Sequence, residues 1–116
     1  MKLIVFEGHD NSFSLLLKVS TITDPTLRIY DLTDVTRMVL ARADGFQVDS
    51  GKEPTVFDWL TLAESGIVTV KLGALNLKNT TDNWRLVVYD PTNPNGIVWG
   101  DDDFQISVKK EYALSS

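Results

Sequence analysis

Apolar side chains recur at every second position in three runs of the last third of the chain. These are Ile67-Val68-Thr69-Val70-Lys71-Leu72 after Gly66, Trp84-Arg85-Leu86-Val87-Val88-Tyr89, and Phe104-Gln105-Ile106-Ser107-Val108-Lys109. Each run is short, rich in β-branched and aromatic residues, and bounded by Gly, Pro, Asn or Asp. That pattern predicts consecutive strands of a small antiparallel β-domain.

The same reading applies upstream. Residues 3–6 form a first apolar run, followed by a turn around Gly8, His9, Asp10 and Asn11. Residues 12–19 alternate, with Phe13, Leu15, Leu17 and Val19 on one face and Ser12, Ser14 and Lys18 on the other; only Leu16 breaks the pattern. Pro25 marks a loop over residues 23–26, and residues 27–30 are short and extended. Asp31, Thr33 and Asp34 carry side chains that cap local backbone donors. Residues 35–43 predict a strand, with a helix as the alternative because Met, Leu, Ala and Arg are good helix formers. Asp44-Gly45 then suits a hairpin, with residues 46–48 returning.

Residues 49–54 read as a polar loop holding Gly51 and Pro54, and residues 55–57 as a further short strand. Over residues 58–66, Asp58 can cap a helical turn that Gly66 ends; an extended path competes with it. Residues 73–77 predict a helical turn or irregular link, with Leu75 and Leu77 closing the core, and residues 78–83 a polar loop. Residues 90–96 carry Pro91, Pro94 and Asn95-Gly96 and predict a long hairpin tip. Residues 97–99 return, and Gly100 to Asp103 interrupt the pattern before the last strand.

Together these elements predict an all-β fold: an antiparallel, immunoglobulin-like β-sandwich of about seven or eight short strands. One domain is expected over residues 1–110, with 111–116 as a C-terminal tail. The expected core is Phe13, Leu15, Leu17, Leu40, Val68, Val70, Trp84, Leu86, Val88, Phe104 and Ile106.

Composition narrows the function. The 116 residues hold no cysteine, which removes disulfides, thiolate nucleophiles and Cys-based zinc sites. The net charge of −5, with Lys109-Lys110 the only basic pair, argues against nucleic acid as a partner. No stretch approaches the roughly 20 apolar residues of a membrane span, and the N-terminal apolar run is too short for a signal-peptide core.

Candidate chemistry is sparse. His9 is the single histidine, so any Ser-His-Asp arrangement must use it; it sits in a polar turn, where a solvated histidine is the plain reading. Asp101-Asp102-Asp103 offers hard oxygen ligands of the kind calcium takes, but lacks the alternating spacing of an EF-hand loop. Asp58, Glu64, Asp82, Asp90 and the Asp101 group supply carboxylates without a spacing that singles out a catalytic pair. Among Trp59, Trp84 and Trp99, Trp84 heads an alternating strand and is expected in the core. Trp99 follows a loop and is open to a glycan, a protein partner or plain packing. Asn79-Thr80-Thr81 matches the glycosylation triplet, with no secretion signal to give it meaning. No catalytic residue, cofactor or metal is expected.

The order of Tyr30-Asp31-Leu32-Thr33, Asp44-Gly45, the 66–72 strand, the Trp84-led strand and the Phe104-Gln105-Ile106-Ser107-Val108 strand resembles the N-terminal β-sandwich of phage baseplate and tail proteins, especially the baseplate upper protein family of siphophages. Asp34 stands where members of that family begin the following segment with glycine. The resemblance implies a structural, non-enzymatic virion component, made in a host cytoplasm, that binds other virion subunits or further copies of itself. Ile97, Trp99, Asp102, Tyr112 and Asn95 are the expected partner-binding residues, on rims and irregular segments. A carbohydrate-binding module using Trp99 with Asp102 and Asn95 is the alternative, with a glycan as partner; a metal-dependent hydrolase is a weaker third.

Overall fold

The computed structural model describes residues 2–6, 11–19, 26–72, 80–100 and 104–109. Eleven strand segments and one 3₁₀ turn, and no α-helix, are found among them. The strands are β1 (Lys2–Phe6), β2 (Ser12–Leu16), β3 (Lys18–Val19), β4 (Arg28–Ile29), β5 (Arg37–Arg42), β6 (Gln47–Asp49), β7 (Phe57–Asp58), β8 (Ile67–Lys71), β9 (Thr80–Tyr89), β10 (Ile97–Trp99) and β11 (Gln105–Lys109). The strand reading of residues 35–43 holds, and the helical alternative does not.

The larger sheet runs β1-β11-β9-β5-β6, with β10 also on β9. The smaller one runs β2-β8-β7, and β3 pairs β4 beside it. Central strand β9 holds two partners on one side: β10 along Leu86–Val88 and β11 along Thr80–Asn83. β10 and β11 are therefore two halves of one interrupted strand. Gly100 sits in the break at φ 122°, where a Cβ would lie 3.0 Å from Phe104 Cδ2 and 3.2 Å from the Trp84 carbonyl. With that merger, the sheets repeat the C-F-G and B-E-D strand orders of immunoglobulin-type sandwiches.

The inner faces meet as the alternation requires. Leu15, Val68 and Val70 from the small sheet join Leu40, Leu86, Val88, Ile106 and Val108 from the large one in a single buried cluster. Trp84 lies in it with 1% exposure. Leu17 and Phe104 are buried as expected, whereas Phe13 is only half-buried and packs on the rim of the cluster.

Several sequence expectations are corrected. The sandwich is not purely antiparallel, because β1 pairs β11 in parallel, Leu3 beside Ile106 and Val5 beside Val108. Strand direction leaves no trace in side-chain alternation, so nothing local announces it. Among the described residues the strand segments number eleven rather than about seven or eight, and the 12–19 run is divided at Leu17 into β2 and β3. The 78–83 loop is in part strand: β9 starts at Thr80, and Thr80, Thr81, Asp82 and Asn83 pair with Val108, Ser107, Ile106 and Gln105. Backbone pairing overrides polar composition there.

Around residue 58, neither competing reading is complete. The Asp58 carboxylate accepts from the Thr61 N–H and hydroxyl, and the 3₁₀ turn forms later, at Ala63–Ser65, ending on Gly66. The predicted hairpins form: the Arg42 N–H donates to the Phe46 carbonyl around Asp44-Gly45, and the Asn93 N–H donates to the Asp90 carbonyl at the 90–96 tip. Leu75 and Leu77 lie outside the described residues.

Candidate interaction surface

Among the predicted partner-binding residues, Ile97, Trp99 and Asn95 share one hairpin arm. Asn95 is exposed at its tip. Ile97 is half-buried, paired with Val88 on the core side of the sheet. Asp102 and Tyr112 lie outside the described residues, as do His9 and the Asp101–Asp103 run. Among the described residues, no group of His, Asp and Glu is arranged to hold a metal ion.

Trp99 is committed to the fold. Its ring is half-buried, its Nε1–H donates to the Lys18 carbonyl at 2.9 Å, and its edge meets Tyr30 at 5.3 Å between centroids. It thus ties β10 of the large sheet to β3 beside the small one. Trp59 donates Nε1–H to the Val35 carbonyl at 3.3 Å, and Trp84 is buried under Phe46 and Arg42. All three tryptophans thus make contacts within the fold.

Tyr30 continues from the Trp99 contact into a polar cluster. Its hydroxyl donates to Asp90 Oδ2, and Asn93 Nδ2 donates to Asp90 Oδ1 at 3.0 Å. Burial first, and then the Asp90 carboxylate, push the Tyr30 hydroxyl up to about 12, while the Tyr30 hydrogen bond holds Asp90 below the usual carboxylate range. The cluster locks the hairpin tip against β4.

Two features without chemistry of this kind stand out instead. The first is the outer edge of β1, which no strand pairs among the described residues. This outermost strand reads Lys-Leu-Ile-Val-Phe, with Leu3 and Val5 inward and Ile4 and Phe6 outward, 63% and 45% exposed. Asn11 covers one end of it, its Oδ1 accepting from the Phe6 N–H at 3.1 Å and its Nδ2 donating to the Phe6 carbonyl at 2.6 Å, and Lys2 is the one charge along the strand. The second is a cleft of about 440 Å³ between the sheets, lined by Leu15, Leu17, Leu86, Trp99, Gly100 and Phe104 among others. Exposed Leu16 stands at its rim.

Sequence reasoning expected exposed strand edges and rim residues to meet a neighbour, and it named no residue of β1; that β1 is the outermost strand of the large sheet emerges only from the sheet order. The break in alternation at Leu16 was visible too, but its meaning depended on which strand β2 would leave unpaired. No protein-family model matches the chain, and no curated protein matches it in sequence.

Proposed function

We propose that the chain is a non-enzymatic structural component of a phage or prophage virion, a tail or baseplate β-sandwich that assembles by strand-edge contact with copies of itself or with other virion subunits. The observation that carries the assembly reading is the outer edge of β1, which no strand pairs among the described residues and which outward Ile4 and Phe6 border, the Asn11 side chain holding only the backbone groups of Phe6 at its end. The sequence resemblance to phage baseplate domains supplies the virion context.

The edge is self-complementary. Two copies of β1 paired antiparallel about Ile4 set each Lys2 opposite a Phe6, bring no like charges face to face, and displace the Asn11 side chain from the Phe6 backbone. A twofold contact of that kind extends the five-strand path of the large sheet across both copies. A glycan-binding reading has no comparable support, because all three tryptophans are engaged by backbone carbonyls or by the core.

Light scattering with mass spectrometry of purified particles tests the proposal. The wild-type chain is expected to self-associate or to co-assemble with virion proteins, and Ile4→Lys, which leaves the inward face intact, is expected to weaken that association. A wild-type chain that is monomeric at all concentrations and absent from particles would sink it.

A further inference from the structure

We infer that the Asn11 side chain is a built-in cap on the β1 edge, holding the place that a second copy of the chain takes when two β1 strands pair. The inference rests on the edge-contact reading above and adds what regulates it.

Two hydrogen bonds define the cap. Asn11 Oδ1 accepts from the Phe6 N–H at 3.1 Å, and Asn11 Nδ2 donates to the Phe6 carbonyl at 2.6 Å. One side-chain carboxamide thus satisfies both backbone groups of one residue. A neighbouring strand does the same in an antiparallel ladder, where facing residues of the bonded kind exchange two hydrogen bonds. Both Phe6 groups therefore point away from β11. By the alternation of a strand backbone, those of Ile4 and Lys2 point outward as well, and those of Leu3 and Val5 point toward β11.

Asn11 is itself held in place. Its backbone carbonyl accepts from the Leu72 N–H at 2.7 Å, next to the Ser12–Lys71 pair at the end of the β2–β8 ladder. The cap therefore starts from the small sheet and closes on the outermost strand of the large one. A side chain anchored this way competes for Phe6 as an intramolecular group, at high effective concentration.

Register shows what the cap controls. In a β1 pair running antiparallel about Ile4, Ile4 faces Ile4, and each Phe6 faces Lys2 of the second copy. All three facing pairs are of the kind that exchanges two bonds, because Lys2, Ile4 and Phe6 all turn their backbone groups outward. Asn11 stands on both outer pairs, once in each copy, and leaves the central Ile4 pair open. Full pairing requires both Asn11 side chains to withdraw. Lys2 of the second copy then gives Phe6 the carbonyl and N–H that Asn11 had given it. The cap thus sets how concentrated the chain must be before its edges join.

Asn11→Ala in the full chain tests the cap, with light scattering for self-association and amide exchange for the strand itself. The variant is expected to self-associate about tenfold or more tightly than wild type, because no internal hydrogen bonds have to be broken first. At dilutions where both chains are monomeric, its Phe6 amide is expected to exchange about tenfold faster than in wild type, while the Leu3 and Val5 amides stay equally protected. Adding Ile4→Lys to Asn11→Ala is expected to cancel the gain in association.

Self-association no tighter than that of wild type, a gain that survives Ile4→Lys, a Phe6 amide equally fast in both chains, or loss of Leu3 and Val5 protection would each overturn the cap. The first of these, with wild type still associating, leaves the edge reading intact, so cap and edge fail separately. If neither chain self-associates although wild type is found in particles, the edge serves a different subunit and the cap on a second copy is overturned. If wild type is absent from particles as well, both readings fall.

Discussion

The Tyr30 hydroxyl donates a hydrogen bond to the Asp90 carboxylate, joining the end of β4 to the start of the β9–β10 hairpin tip across sixty residues of sequence. The same Asp90 accepts from the Asn93 backbone N–H at 2.7 Å and from the Asn93 side chain, so one buried carboxylate organises the whole tip.

Tyr30→Phe removes the strongest of these bonds and leaves Asp90 under-satisfied. The expected loss is about 1.5–3 kcal/mol, the range for a hydrogen bond to a charged group, read from urea unfolding. The alkaline limb should change as well. Tyr30 titrates at about 12 in the fold against 10.0 ordinarily, so its contribution is complete below pH 10 and is lost as pH rises toward 12. That part of the alkaline loss should be missing in Tyr30→Phe.

Arg37 grips Asp49 through Nε at 2.9 Å and through a second, shorter bond, and its guanidinium lies 4.9 Å from the Tyr89 ring centre. The Arg37 hydrogen bonds, and next the Gly51 N–H, lower the Asp49 carboxyl from 3.8 to about 2. Its stabilisation is present above pH 4 and is lost as pH falls through about 2. Because the pair is 46% and 19% exposed, solvent screening leaves about 0.5–1 kcal/mol. Asp49→Asn should cost that much at pH 7, with wild type and variant converging near pH 2 in acid-unfolding curves.

Gly66 ends the 3₁₀ turn at φ 69° and passes close to β3 and β4. A Cβ there would lie 2.6 Å from Ile29 Cγ2, 3.0 Å from the Tyr30 carbonyl and 3.1 Å from the Leu17 carbonyl. Backbone strain and contact with two carbonyls act in the same direction. Gly66→Ala is expected to lower stability by about 2–3 kcal/mol, visible as a drop in Tm.

Trp99 separates packing from recognition. Trp99→Phe keeps an aromatic ring but loses the donor to the Lys18 carbonyl, and should cost about 1 kcal/mol. Trp99→Ala also loses the Tyr30 contact and the packing beside Leu86, for a total of about 3 kcal/mol. A ring that served only as a binding platform would leave thermal stability unchanged in both variants.

Alternation in the sequence carried the main elements of the core: Val68 and Val70, Leu86 and Val88, and Ile106 and Val108 all face inward as their spacing requires. The turns at Asp44-Gly45 and at residues 90–96 were legible for the same reason, because turn chemistry acts over a few residues. The candidate site was far less legible. Trp99 was open to three readings until the fold placed Lys18 and Tyr30 against it, and Asp90 gave no sign that its main partner would be Tyr30.

Side-chain period and turn residues thus sufficed for an all-β sandwich and for most of its core, since both are local properties of the chain. The parallel pairing of β1 with β11, the extension of β9 back to Thr80, and the place of β1 as the outermost strand among the described residues were settled by assembly of the sheets. An edge exists only once every other strand has found its neighbour. The backbone groups that form it are the same from one residue to the next, so no side-chain pattern can mark them in advance.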